Sequence, residues 1–399
     1  MGLLDTITIQ GFKSIVDARL DLGALNVLIG ANGAGKSNVL EAIGLLGAAV
    51  SGRVTEESLR HRGVRPGRPA LYKAAFHGSK NPRLIRLSAT SGDDSYRVAL
   101  DNPIDRPEPA WRFANEHVGA RGRAVGSRGP AGAKFHDAAG QRTPHLAPDA
   151  RQGIAPLVHA LRDDDPAGSL IRGLESFAIY APFTPMLRGL APDPTHRDPI
   201  GLNGGGLAGA LRDLRQRRPD AASLVERVAL EHVEWAQALY VSRAEGPTGR
   251  ALYLRDRAMR DGRDWLSAAD ASEGSLYVLF LLLLLHHPAA PRFCAIDNVD
   301  SALHPNLARA LIGRVQDMLC EDLTDRQLIV TTHNPLVLDS LRLADDRIRL
   351  FIVSRQKGTG FTMLRRQEPS EALQRARARG RTLSQLWVEG TLGGVPDLM

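Results

Sequence analysis

The segment Asn26-Val27-Leu28-Ile29-Gly30-Ala31-Asn32-Gly33-Ala34-Gly35-Lys36-Ser37 constrains this chain more than any other. An apolar run enters a glycine-rich loop, Lys-Ser follows, and residues 38–46 continue as an amphipathic segment. The pattern G-x-x-x-x-G-K-[ST] between a strand and a helix is that of a phosphate-binding loop. Gly30, Gly33 and Gly35 keep Cβ atoms out of a tight backbone path, so successive N–H groups can turn toward phosphate oxygens. A helix starting near Gly35 adds its positive dipole end to the same anion site. Lys36 would reach the β- and γ-phosphates, and Ser37 would hold Mg²⁺. Asn32, Ala34 and Asn38 complete the candidate nucleotide contacts of the loop and first helical turn. A glycine-rich turn can match the pattern by chance, so its strand–loop–helix setting and its partners farther along carry the weight.

A chain of 399 residues, 43% hydrophobic and 24% charged, has the composition of a soluble globular protein with a sizeable core. The formal charge is +7, with Arg far outnumbering Lys. That excess permits nucleic-acid contact without demanding it. Only Cys294 and Cys320 occur, neither in metal-ligand spacing, as suits a reducing cytoplasm without disulfides. The N-terminus lacks the basic and long apolar regions of a signal peptide. The longest apolar run, residues 276–285, is far short of the roughly 20 residues that cross a bilayer. A cytoplasmic protein with no membrane partner is expected.

Before the loop, Ile7 and Ile9 alternate with Thr6, Thr8 and Gln10, which is strand-like, and Gly11-Phe12-Lys13-Ser14-Ile15 turns into a second strand through residues 17–22. "ITIQGFKSI", a short gap and "LNVLIGANGAGKSNVLEAI" together resemble the N-terminus of the RecF/SMC-like branch of ABC-type ATPases. The resemblance implies an α/β P-loop NTPase fold, an ATPase head with an N-terminal antiparallel strand lobe that helps cover the adenine and an inserted helical lid. The implied cofactors are ATP and Mg²⁺.

Residues 51–69 are polar and basic, and strand-like segments are expected at 70–76, 84–90 and 96–100. From 101 to about 148, Gly, Pro, Arg and Ala dominate and periodicity is lost. Arg112, Arg121, Arg123, Arg128, Lys134 and Arg142 are spread through it. The segment reads as a flexible surface insertion or as a basic arm for a nucleic-acid backbone. With Trp111, Phe113 and Phe135 as its only aromatic residues, base stacking gains little support. Residues 152–175 read as helix and 177–180 as a short strand. Residues 201–218 open with glycines and become a helix that Pro219 stops, and 220–239 read as another helix with Asp220 as N-cap. These helices would be the lid. No sustained heptads run through the insertion, so coiled-coil arms are not expected.

Residues 240–244 and 251–255 read as a hairpin. Ser272-Glu273-Gly274-Ser275 then opens a strongly apolar helix and resembles the ABC signature, with Glu273 in place of a glycine. The resemblance implies that Ser272, Gly274 and Ser275 bind the γ-phosphate held by an opposite subunit; a plain Ser-capped helix is the alternative. Phe293-Cys294-Ala295-Ile296-Asp297 is an apolar strand ending in a carboxylate, as expected of Walker B, with Asp297 orienting the Mg²⁺ shell. Asn298-Val299-Asp300-Ser301-Ala302-Leu303-His304-Pro305 resembles D-E-P-E-x-x-L-H-P, but Asn298 stands where the water-activating Glu sits in the family. An amide cannot accept a proton, so either Asn298 orients a water in a slow reaction or Asp300 supplies the carboxylate. Asp300 as a polar cap on the next helix is the alternative. Residues 327–335 form a β-branched strand ending Thr331-Thr332-His333, which resembles the switch-histidine segment. That likeness implies that His333 hydrogen-bonds the γ-phosphate.

Residues 349–354 and 360–364 look like a last hairpin, and 371–381 like a solvated helix rich in Arg. Val388-Glu389-Gly390 superficially resembles the opening of the Toprim nuclease fused to OLD-family ATPases, but ten residues after Glu389 leave no room for that domain. The expected organisation is 1–101 and 240–365 as the two parts of the head, 102–239 as the inserted segment and lid, and 366–399 as a helical tail. The resemblance further implies a homodimer around sandwiched ATP and an effector or nuclease in trans, with DNA as a further candidate partner. The function would be an ATP-gated switch or slow ATPase in prokaryotic genome maintenance or anti-phage defence. The alternative is a non-hydrolysing ATP-sensing scaffold.

Overall fold

The computed structural model describes residues 4–76, 82–136, 149–160, 167–195, 197–246 and 249–393. Strands β1 (Thr6–Phe12) and β2 (Ile15–Asp21) pair antiparallel, with Ile7 opposite Leu20 and Ile9 opposite Ala18. Strand β3 (Leu25–Ile29) is buried on both faces and feeds the loop and α1 (Lys36–Val50), itself buried nearly all round. A strand buried on both faces belongs in the middle of a covered parallel sheet. Helix α2 (Glu56–Arg60) starts on a Thr55 capping box. Then comes α3 (Pro69–Tyr72), where a strand over 70–76 was expected. Pro69 presets the first helical turn, and the chain meets β1 only after it, where Lys73 bridges Phe12 and the Ala74 N–H donates to the Gly11 carbonyl at 3.0 Å.

Strands β4 (Ile85–Ser91), β5 (Asp94–Asp101), β6 (Arg112–Ala120), β7 (Arg123–Gly129) and β8 (Gly132–Phe135) extend the first pair into a seven-stranded antiparallel sheet, ordered β2-β1-β4-β5-β6-β7-β8. The aperiodic, flexible segment expected from residue 102 is thus corrected over 112–135, which is sheet; residues 137–148, with Arg142, lie outside the described residues. The expected helix over 152–175 is two helices, α4 (Ala155–Ala160) and α5 (Gly168–Ser176), with 161–166 outside the described residues.

After β9 (Ile179–Tyr180) and α6 (Thr184–Leu187), the expected lid is α7 (Leu207–Arg217) and α8 (Pro219–His232). Pro219 occupies the first turn of α8, so Asp220 lies inside that turn and is not its N-cap. The helix ends at His232, short of 239, because the following residues pair as β10 (Ala236–Gly246) with β11 (Gly249–Asp256) and β12 (Trp265–Ser267). Helix α9 (Glu273–His286) is apolar on every side, and Leu276 to Leu285 are at most 2% exposed. Such a helix must lie in the interior.

The remaining elements are β13 (Phe293–Ile296), α10 (Pro305–Asp317), β14 (Gln327–Thr332), β15 (Ile348–Arg355), β16 (Thr362–Arg366), α11 (Glu371–Ala378) and α12 (Leu383–Val388). They complete a six-stranded sheet ordered β16-β15-β3-β14-β13-β9, parallel except for β16. Two cores lie on its faces. Leu28, Ile329 and Phe351 pack with α1, α5 and the antiparallel sheet, while Val27, Val330 and Leu350 pack with α7 to α10. The period of two along each strand divides the side chains between these cores.

Candidate nucleotide site

The parallel register decides where chemistry can collect. Ile29 of β3 lies opposite Thr332 of β14 and Ile352 of β15, and Ile296 of β13 lies opposite Val330 of β14. The loop after β3, Asp297 after β13 and His333 after β14 therefore emerge at one edge, the carboxyl ends where open α/β sheets bind ligands.

The loop is tightly seated. A Cβ on Gly30 would stand 2.1 Å from the Val353 carbonyl oxygen, and one on Gly35, at φ +110°, 2.2 Å from Thr362 Oγ1. Thr362 Oγ1 donates to the Ala34 carbonyl at 2.8 Å, and Asn38 Nδ2 donates to Ser14 Oγ at 2.7 Å, so β16 and the β1–β2 turn brace the loop from one side. Asn32 and Gly33 are exposed at its tip, and no atom lies within 4 Å of a Cβ on Gly33. Lys36 folds over the loop and donates to the carbonyls of Gly30 at 2.6 Å and Ala31 at 3.2 Å. Burial lowers its pKa, and the carboxylates of Asp297 and Asp300 pull the other way.

Ser37 Oγ donates to Asp297 Oδ2 at 2.8 Å, and Thr331 Oγ1 donates to Asp297 Oδ1. The Asn298 N–H donates to that same Thr331 Oγ1 at 2.8 Å. Asn298 is exposed and left-handed, at φ +55°. Asp300 is buried, with Oδ2 3.4 Å from His333 Nδ1 and Oδ1 without a hydrogen-bond partner. The alternative of Asp300 as a helix cap is corrected: the N-cap of α10 is His304, whose ring accepts the Asn306 N–H. Nearby, the buried Tyr277 hydroxyl has no partner, and burial, with the charges of Asp300 and Asp297, pushes its pKa up.

Ser272, Gly274 and Ser275 open α9, the helix that carries Tyr277. Ser272 is the exposed N-cap of α9, accepting the Ser275 N–H at 3.3 Å, and Gly274 lies against the Ala302 carbonyl. Glu273 accepts a hydrogen bond from Thr184 Oγ1.

Several lining residues escaped sequence reasoning. Buried Glu41 of α1 pairs with Lys13 and with Arg65, whose Nε is 2.5 Å away. Arg65 thereby stands between two cavities. One, of about 500 Å³, is lined by Lys13, Ser14, Asn38, Tyr72, Phe76 and Arg355 among others. The other, of about 190 Å³, is lined by Ser37, Asp297, Thr195 and Asn203 among others. Lys13, Arg65, Thr195 and Asn203 belong to no spacing pattern; only the strand-rich lobe ahead of the loop hinted that its residues flank the site.

The residues present suit a nucleoside triphosphate with its Mg²⁺. The glycine cradle offers open space and N–H groups, Lys36 offers a cation, and Asp300 Oδ1 and Tyr277 Oη are buried polar atoms left for a ligand or its water. Among the described residues no three His, Cys, Asp or Glu side chains gather as a metal cage. The oxygen pair of Ser37 and Asp297 matches a Mg²⁺ that keeps waters and phosphate ligands.

Among the described residues no helix is long and apolar enough to cross a membrane. The chain is similar to the DNA replication and repair protein RecF of Magnetococcus marinus, 34% identical over 98 residues that make up 22% of this chain and 26% of that protein. A RecF of Paenarthrobacter aurescens is 33% identical over 104 residues, 25% of each chain. This chain thus spans about a quarter of the length of the RecF proteins it matches. The solved structure of an Smc head bound to the C-winged helix domain of ScpA superposes with a TM-score of 0.52 at 15% identity, covering 93% of this chain and 99% of that one, a likeness of fold. Residues 25–339 match the family described as "AAA domain, putative AbiEii toxin, Type IV TA system". The chain belongs to that AAA-domain family and, with its loop, its RecF relatives and its Smc-head fold, to the RecF/SMC-like branch of the ABC-type ATPases.

Proposed function

We propose that this chain is an ATP-binding head that hydrolyses ATP slowly in the presence of Mg²⁺ and dimerises when ATP is bound. The observation carrying the reading is the Ser37–Asp297 hydrogen bond of 2.8 Å beside Lys36, Asp300 and His333. Loop N–H groups and Lys36 bind the phosphates, and Ser37 with Asp297 hold the metal. Bound Mg²⁺ supplies charge neutralisation on the β- and γ-oxygens. His333 donates to the γ-phosphate, with Asp300 behind it fixing the ring. Asn298 orients a water without taking its proton, which makes turnover slow.

Two heads would close with each loop facing the partner's Ser272, Gly274 and Ser275 in a cytoplasmic homodimer. An effector or nuclease in trans and a place in prokaryotic genome maintenance or anti-phage defence are the proposed setting. The RecF likeness supports DNA as a partner, and a gel shift with and without ATP tests it. ATPase turnover measured together with ATP-dependent mass tests the whole reading. Lys36→Ala is expected to abolish both ATP binding and turnover; unchanged turnover removes this loop as the active site. Asn298 also favours a second reading, a non-hydrolysing ATP sensor that gates a separate effector. Background turnover in an ATP-bound dimer would select it.

A further inference from the structure

The outward face of the seven-stranded sheet carries a hollow of about 480 Å³. On the inward face Ile7, Ile9, Leu87 and Ala89 pack with Val39 and Ile43 of α1, so the alternate residues of β1 and β4 point away from that helix. Thr8, Ser88, Arg97, His117 and Ser127 stand opposite one another in a single row across β1, β4, β5, β6 and β7. Gln10, Arg86 and Asn115 belong to the next row, with Ala99 between the last two. Register shifts after Ala99 and after Val118 bend β5 and β6 beside these rows.

No carboxylate answers the positive groups gathered here. Arg86 and Arg97 are diagonal neighbours on adjacent strands, Arg97 lies directly opposite His117, and like charges so placed repel. Among the described residues neither arginine makes a hydrogen bond or ion pair, and neither do His117 and Asn115. Burial lowers the His117 pKa, and the Arg97 guanidinium beside it lowers it further. Glu116 also borders the hollow, but its carboxyl oxygens are taken by the Ile154 and Ala155 N–H groups and the Tyr96 hydroxyl. Arg128, at the same border, donates to the Asp149 carbonyl at 3.1 Å. On the β2 side the positive surface stops at Asp17 and Asp21, the latter paired with Arg19.

We propose that this hollow is a second anion site, taking a small molecule that carries one or two phosphate groups and is about the size of a mononucleotide. Arg86 and Arg97 each offer a planar fork of donors to phosphate oxygens, and His117, Asn115, Thr8 and Ser88 supply hydrogen bonds around them. A dianion bound there offsets the repulsion between the cations. The volume of about 480 Å³ is that of a small-molecule site. A patch of two arginines ended by Asp17 suits one or two phosphate groups better than the repeated charges of a strand. The inference goes beyond the nucleotide reading, because Lys36, Ser37, Asp297, Asp300 and His333 line no part of the hollow.

The test uses the full chain carrying Lys36→Ala, which takes away the cation of the phosphate loop. Pyrophosphate binding is read by calorimetry and by the nuclear magnetic resonance signals of the His117 ring, assigned by their loss in His117→Gln. Pyrophosphate is expected to bind with a Kd below about 1 mM and to shift those signals. Exchanging Arg86→Gln together with Arg97→Gln is expected to weaken binding at least tenfold. A folded double variant that binds pyrophosphate as tightly as before overturns the proposal. So does a His117 ring that saturating pyrophosphate leaves unmoved, a readout that does not depend on the arginine variant folding. Single-stranded oligothymidylate is the second probe. If it shifts the His117 ring and displaces pyrophosphate at a lower phosphate concentration, the face belongs to nucleic acid and the small-ligand assignment is overturned. A parent chain that binds no ATP ends the nucleotide reading alone, whereas ATP binding with no response of the His117 ring to pyrophosphate ends this one alone.

Discussion

At the scale of single residues, Asn298 is the position where backbone and chemistry meet. Its φ of +55° lies where Asn, Asp and Gly are tolerated and other side chains cost roughly 1 kcal/mol or more. The amide in place of a carboxylate is legible in the sequence, but the left-handed turn that favours Asn is set by the fold. The two effects separate by substitution. Asn298→Glu is expected to lower the melting temperature by a few degrees, in line with about 1 kcal/mol of strain, and to raise kcat by tenfold or more. Asn298→Gly should keep the stability and slow turnover further. If Asn298→Glu folds, binds ATP and gains nothing, Asp300 is the group to examine next.

At the scale of elements, the parallel core was legible and the outer strands were not. β3, β13 and β14 are short, buried throughout and mostly apolar, and lead into Gly30, Asp297 and His333, so pattern and punctuation agree. β6 hides because its inward positions are not all apolar. Phe113 and Val118 face the core as expected, but Glu116 does so between them, and the register slips there and again at Gly119. Glu116 is fully enclosed and accepts from the Ile154 N–H at 2.7 Å, the Ala155 N–H at 3.3 Å and the Tyr96 hydroxyl at 2.9 Å. Burial pushes its pKa up to about 7, against the pull of those donors and Arg128. A raised folded-state pKa means the protonated form is favoured by folding. The associated stability is fully present below about 4.5, the ordinary Glu value, and is lost as pH rises through about 7. The upper bound is on the order of 3 kcal/mol. Urea unfolding at pH 5 and pH 8 should therefore show a drop on the alkaline side that Glu116→Gln makes smaller. An equal drop in both proteins would place the linkage elsewhere.

At the scale of the whole molecule, the dimer reading asks two separate elements, the loop ahead of α1 and the start of α9, to serve one nucleotide from two chains. Lys36, Ser37, Asp297, Asp300 and His333 share one edge of the parallel sheet, while Ser272, Gly274 and Ser275 open α9 with Ser272 exposed. An N-cap that serves only its own helix would be satisfied here, because Ser272 Oγ accepts the Ser275 N–H. An N-cap that also receives a neighbour's γ-phosphate would add a ligand-dependent interface to that structural duty. Ser272→Arg distinguishes them. A bulky cation at an exposed N-cap removes the cap, at about 1 kcal/mol, and fills the space a second head would enter. The dimer reading requires that ATP-dependent mass be lost while ATP affinity of the monomer stays within severalfold, since nothing in the loop has changed. Turnover should fall with the dimer, because the opposite subunit completes the site. Sedimentation with and without ATP, beside equilibrium nucleotide binding, measures both quantities, and an ATP-dependent dimer that survives Ser272→Arg would assign those serines to helix capping alone.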